Sequence, residues 1–171
     1  MARPNVESVM RIRSKTKSIP EGFHTLTPYL TVHNAAQAID FYKRAFGANE
    51  RFRLPMFDGK IGHAEMTLGD SIFMLSDECP EHGNEAPHAS QGAPVGLALY
   101  VHDVDAAFDK AVEAGASVKE PVEDKFWGDR AGTVTDPFGH KWTLLTHVEE
   151  VSAEEIKKRM HEACAETAAK A

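Results

Sequence analysis

Gly62-His63-Ala64-Glu65-Met66-Thr67-Leu68-Gly69-Asp70-Ser71-Ile72-Phe73-Met74-Leu75-Ser76-Asp77 is the stretch whose reading decides the fold. It has the alternation of two β-strands joined by a tight turn at Gly69-Asp70. Side chains switch faces at every strand residue, so His63, Glu65 and Thr67 share one face while Ala64, Met66 and Leu68 share the other. A histidine and a carboxylate two positions apart on one strand are where a metal site or an acid–base pair begins. The same two residues also read as a hydrogen-bonded polar couple with no chemistry of its own.

Upstream, Asp58-Gly59 marks a hairpin turn, and Arg51–Met56 reads as a short strand before it. Asn34 has the side chain of a helix N-cap; Ala35, Ala38, Ile39, Tyr42, Ala45 and Phe46 follow at helical spacing, and Gly47 supplies the stop. Thr25–Val32 alternates like a strand, with Pro28 near its start. Residues 23–77 therefore read as one strand, one helix and three strands. Residues 1–22 are polar and locally basic (Arg3, Arg11, Arg13, Lys15 and Lys17) and read as an arm ahead of the domain.

Downstream, residues 78–94 have loop composition, after which the first unit recurs over 95–148. Ala98-Leu99-Tyr100-Val101-His102-Asp103 answers Tyr29-Leu30-Thr31-Val32-His33-Asn34, with Asp103 capping where Asn34 did. Gly128–Val134 answers Gly59–Glu65, and Asp136-Pro137-Phe138-Gly139 makes the turn. This alignment sets Gly132 and Val134 opposite His63 and Glu65; Tyr29 and Tyr100, two places apart in it but on the same strand face, are read as occupying equivalent places in the cleft. Residues 149–171 form a last helix, opened by a Ser152–Glu155 capping box with Val151 and Ile156 as its staple. Its narrow stripe of Ile156, Met160, Ala163, Cys164 and Thr167 is expected to dock on the domain or on a second subunit.

At 171 residues, 42% hydrophobic and 26% charged, the chain has the makings of one globular domain. A formal net charge of -7 argues against a general nucleic-acid binder. No apolar run approaches the roughly 20 residues that span a bilayer, and the N-terminus lacks the apolar core of a secretory signal. Two cysteines, Cys79 and Cys164, make no disulfide framework, which suits a reducing cytoplasm. Dinucleotide, P-loop and nucleophile-elbow motifs are missing from the sequence.

The duplicated unit resembles the vicinal oxygen chelate superfamily of glyoxalase I, extradiol dioxygenases, and fosfomycin- and bleomycin-resistance proteins. Four segments carry the likeness: Thr27-Pro28-Tyr29-Leu30, Ile39-Asp40-Phe41-Tyr42, Gly62–Met66 with Gly69-Asp70-Ser71, and Thr133–Trp142. The resemblance implies an α+β fold of two tandem βαβββ units, forming a curved, mostly antiparallel sheet around a cleft, with the C-terminal helix added. It also implies a homodimer. In metal-dependent relatives, ligands project from the first and third strands of each unit. Carried over, those places fall on Thr27, Glu65, Gly96 and Thr143, of which only Glu65 is a competent ligand. No cofactor is therefore expected. A divalent ion (Ni, Zn, Mn or Fe) on His63 and Glu65 is the fallback.

Glu65 and His63 are the candidate catalytic pair, and Thr27, Tyr29, Tyr100, Phe57, Trp127, Arg130 and Thr143 are the candidate ligand contacts. The leading functional expectation is a glyoxalase/bleomycin-resistance-like protein that binds a small organic molecule without the family-type metal. One alternative is a metal-dependent lyase, isomerase or dioxygenase of the same superfamily. The other is a protein-interaction subunit with a degenerate cleft. Neither nucleic acid nor membrane is expected as a partner.

Overall fold

Each helix starts where a short polar side chain can accept a backbone N–H. Asn34 Oδ1 accepts from Gln37 N at 3.0 Å and opens α1 (Ala35–Phe46), which Gly47 closes in the left-handed conformation. Asp103 Oδ1 accepts from Ala106 N at 3.0 Å and opens α2 (Val104–Glu113). The computed structural model describes residues 17–88 and 93–169, so most of the expected N-terminal arm lies outside the described residues.

The strands are β1 (Tyr29–Val32), β2 (Asn49–Pro55), β3 (Ile61–Leu68), β4 (Ser71–Asp77), β5 (Gly96–Tyr100), β6 (Ser117–Asp124), β7 (Asp129–Thr135) and β8 (Lys141–His147). They hydrogen-bond as two four-stranded sheets in the orders β1-β4-β3-β2 and β5-β8-β7-β6. In each sheet the first strand pairs in parallel with the last, and the other pairings are antiparallel. This is the duplicated α+β fold that the sequence implied. The first strand is shorter than its pattern suggested. Pro28 has no N–H to donate, and regular pairing starts at Tyr29, although Pro28 O still accepts from Met74 N at 2.8 Å.

Helix-facing strand residues meet α1 and α2 in one core: Ala64, Met66, Phe73 and Leu75 from the first unit, and Val134, Trp142 and Leu144 from the second. Burying side chains of this size removes them from water at about 25 cal/mol per Å² of apolar surface. The units are joined at α1 and the β7–β8 turn. Tyr42 Oη donates to Asp136 Oδ2 at 2.8 Å, and Trp142 Nε1 donates to the same oxygen at 3.0 Å. Asp136 Oδ1 accepts the N–H groups of Phe138 and His140 at 2.9 and 2.8 Å. Burial and the neighbouring Asp136 carboxylate push the Tyr42 phenol well above its ordinary pKa. His140 Nε2 lies 3.0 Å from Thr31 O, tying the same turn to β1.

The pairing corrects the alignment of the two copies. Glu65 faces Met74, and Thr133 faces Thr143; helix-side Phe73 and Trp142 correspond in the same way. Glu65 therefore answers Thr133, and His63 answers Ala131. Val134 and Gly132 point to the helix side instead: a Cβ on Gly132 would come within 2.7 Å of the Phe108 ring. Tyr29 and Tyr100 are not equivalent either, since Tyr29 pairs across from Met74, whereas Ala98 pairs across from Thr143. Tyr100 sits two residues further along its strand.

The last helix, α3 (Ala153–Ala169), is capped as expected, with Ser152 Oγ accepting from Glu155 N at 3.2 Å. Among the described residues it makes no extended contact with the sheets or the other helices. Arg159 holds it to Glu149 through two bonds of 2.8 Å. The side chains of Cys164 and Thr167 lie outside the described residues. Loop 78–94 contains a turn of 3₁₀ helix, Pro80–His82, closed by the Cys79–Asn84 bridge. No helix among the described residues is long and apolar enough to cross a membrane.

Candidate functional site

Opposite the helices, each sheet leaves one face without a helix on it, and the polar residues of interest collect there. On the first sheet, Tyr29 Oη and His63 Nδ1 share a hydrogen bond of 3.1 Å. His63 Nε2 lies 3.7 Å from Glu65 Oε1, and Arg51 Nη1 lies 3.3 Å from Glu65 Oε2. The Phe52 ring closes the group at 6.3 Å from His63. Glu65 is thus held between a guanidinium and an imidazole. Among the described residues no further His, Cys, Asp or Glu completes a metal-binding group with them. This donor set, one imidazole and one carboxylate already paired with arginine, does not fit a divalent metal centre of the superfamily's type.

The second sheet assembles a tighter group, in which the candidates Tyr100 and Trp127 meet Asp129 and His147, two residues that the sequence reading did not place in a site. Asp129 is only 4% exposed and accepts three side-chain hydrogen bonds. His147 Nδ1 lies 2.8 Å from its Oδ1, while Tyr100 Oη and Trp127 Nε1 donate to its Oδ2 at 3.0 and 2.9 Å. Burial pushes the Asp129 carboxyl up, but the bonds from His147, Tyr100 and Trp127 outweigh it and hold the group below the usual aspartate range. The bond to Asp129 raises the His147 pKa, assisted by Glu150 and opposed by burial. The bond to Asp129 likewise raises the Tyr100 pKa.

Backbone geometry places these residues. Gly128, at φ 100, accepts the N–H groups of Val148 and Glu149 on one carbonyl, each at 3.0 Å. A Cβ there would lie 2.2 Å from Glu149 O, so the close approach requires glycine. This contact continues the β7–β8 pairing to Asp129 opposite His147. His147 is the last residue of β8. The legible signal was the alternation Thr143, Leu145, His147 on one face.

The other sequence-derived candidates scatter. Arg130 is occupied: its Nε and Nη2 donate to Asp105 at 2.7 Å each, and its Nη1 donates to Asp124 at 3.1 Å. Thr27 Oγ1 donates to His24 O at 3.3 Å, ahead of β1. Thr143 and Thr133 bond each other through their hydroxyls at 3.2 Å. Phe57 is fully exposed in the β2–β3 turn, and Gly96 starts edge strand β5.

A cavity of about 680 Å³ lies where the units meet. Leu68, Ile72 and Phe73 of the first unit line it with Leu97, Leu99 and Tyr100 of the second. His24, Asp70 and His102 add polar groups to its wall. The lining is mostly apolar, and the volume suits a small organic molecule.

Residues 22–144 match the family model described as the Glyoxalase/Bleomycin resistance protein/Dioxygenase superfamily. The chain belongs to this superfamily. An uncharacterized protein of Mycobacterium tuberculosis is 46% identical over 138 residues, covering 79% of this chain and 81% of that protein. The crystal structure of TioX from Micromonospora sp. ML1 matches with a TM-score of 0.57 and 29% identity, over 73% of this chain and 99% of that one. An Arabidopsis thaliana gene product matches with a TM-score of 0.58 and 33% identity, over 71% of this chain and 98% of that one. As a member of the superfamily, the chain keeps the duplicated unit; of the places carried over for ligands, Glu65 lies on β3 and Thr143 on β8, so these two are not equivalent positions of the repeat.

Proposed function

We propose that this protein binds a small organic molecule in the cavity between its two units, without a resident metal, in the manner of the superfamily's sequestering and resistance-type members. The single observation that carries the reading is the 680 Å³ cavity with its apolar wall and few polar groups. The poor donor set around Glu65 supports the metal-free part. A homodimer belongs to the same reading, supported by the exposed apolar run Phe52, Leu54, Met56 and Phe57 along the outer strand β2 and its turn. A cytoplasmic setting and the absence of nucleic-acid partners complete it, resting on cysteine usage and net charge.

The test is a thermal-shift screen of a broad metabolite library against the wild-type chain and Ala98→Trp, which puts bulk into the cavity from β5. A ligand that raises the melting temperature of the first and not the second supports the proposal. Stoichiometric Ni, Zn, Mn or Fe in protein purified without chelator, lost on Glu65→Ala, would favour the metal-dependent lyase, isomerase or dioxygenase reading instead. No response across the library would favour an interaction subunit. Sedimentation of the purified protein reads the oligomeric state.

A further inference from the structure

The Asp129 group on the second sheet lies apart from the residues that line the cavity, Tyr100 excepted, and it has the parts of a site. A buried carboxylate fixes three aromatic side chains by their polar edges, so their rings are held in place with little left to order on binding. Those rings are not hidden: Tyr100 is 62% exposed, and the His147 side chain is 48% exposed. With Nδ1 committed to Asp129, His147 turns Nε2 outward. Among the described residues, Nε2 pairs there with Glu150 Oε1 at 3.4 Å, on a side chain 97% exposed. Such a pair in water contributes little and yields readily to a ligand.

We propose that His147, backed by Asp129 and flanked by Tyr100 and Trp127, is a binding site for a hydroxyaromatic compound, whose ring packs on the aromatic side chains and whose hydroxyl meets His147 Nε2. The charge distribution selects this class. Asp129 and Glu150 face the imidazole, while Glu149, two residues along the chain, is paired with Arg159. Two carboxylates around one imidazole disfavour a strongly anionic ligand. A neutral phenol instead brings a weakly acidic O–H and acquires charge only by giving up its proton. That proton passes from the ligand oxygen to Nε2, and no other bond forms or breaks. The product is an imidazolium–phenolate pair, with Asp129 neutralising the imidazolium from behind. The raised pKa of His147 favours the transfer. This site does not depend on the inter-unit cavity, and each can fail without the other.

The test uses para-hydroxyacetophenone, a less acidic chromogenic phenol, with the full-length chain, at a pH above the His147 pKa as read from its own resonance and below the pKa of the free probe, so that the imidazole starts neutral and the phenol starts protonated. The expected result is a saturable rise in phenolate absorption for the wild-type protein and its loss in His147→Gln. Because His147 is half exposed, that variant is expected to fold. Asp129→Asn, if it folds, should weaken the response by about tenfold, as loss of one charge-assisted bond predicts. Para-methoxyacetophenone, an anisole that has the ring and lacks the O–H, should compete about tenfold more weakly than the phenol. Equal competition by the anisole, an unchanged response in His147→Gln, or no saturable response from the wild-type protein would each overturn the proposal. Histidine resonances followed on addition of the probe give a second reading: only that of His147 should move toward the imidazolium position.

Discussion

The two sheets hold the same three kinds of side chain on the face opposite the helices, and they wire them differently. The first has Tyr29, His63 and Glu65; the second has Tyr100, His147 and Asp129. On the first sheet the tyrosine bonds the imidazole, and the carboxylate stands 3.7 Å off with an arginine on its other side. On the second the carboxylate is the centre, buried, and tyrosine, indole and imidazole all bond to it. Residue type is therefore a poor guide to role in this fold. The short spacing of His63 and Glu65 along one strand draws the eye in the sequence, yet the better-ordered histidine–carboxylate pair spans two strands.

Four substitutions probe this contrast. Asp129→Ala should have the largest effect, about 3 kcal/mol of stability, because it leaves three donors without their acceptor in a largely buried place; denaturant unfolding measures it. A loss below about 1 kcal/mol would show that water replaces the carboxylate easily and that the two faces are alike. His147→Gln should follow, with an effect that depends on pH. The His147 pKa is raised in the folded state, so its contribution is complete below the ordinary histidine value and fades as pH rises through the raised one. Asp129 is lowered, so its contribution is complete above the ordinary aspartate value and fades as pH falls through the lowered one. Melting curves of wild type and His147→Gln should accordingly converge at alkaline pH. Tyr100→Phe should cost about 1 kcal/mol, the value of one hydrogen bond to a charged group near the surface. Glu65→Ala should cost least, under about 1 kcal/mol, since its two ion pairs are long and partly exposed.

Much of the fold was legible because local chemistry agreed with the global arrangement. Asn34 and Asp103 cap their helices, Gly47 closes the first of them, and Gly59 and Gly139 take positive φ in their turns. The repeat was legible for the same reason, since caps and turns recur with it. Its register was not. The β3–β4 turn has two residues, Gly69 and Asp70, whereas Asp136 N reaches His140 O across three. Aligning Gly59 with Gly128 and running on without a gap misses the irregularity in the β2–β3 pairing beside Gly62, for which the longer β7–β8 turn later compensates, and so slips the strand between them by one residue, which exchanges its faces. The second polar group stayed hidden because its members come from β5, the β6–β7 turn, β7 and the end of β8. Only strand pairing brings them together. Arg130 looked available for a ligand because its partner Asp105 lies on a helix that sequence alone does not place beside it.

The Tyr42–Asp136 bond bears on how this protein unfolds. A duplicated chain has the choice of melting in halves, each copy losing its structure separately. Here the buried phenol belongs to one copy and its acceptor to the other, and the Phe46 and Trp142 rings pack across the same boundary at 4.6 Å. Opening either copy alone strands a polar group of its neighbour, at about 1–3 kcal/mol, and strips apolar surface beside it. The two halves are thereby expected to melt in a single cooperative transition, with coincident curves from different probes, so that the ancestral repeat survives in the architecture and no longer in the thermodynamics.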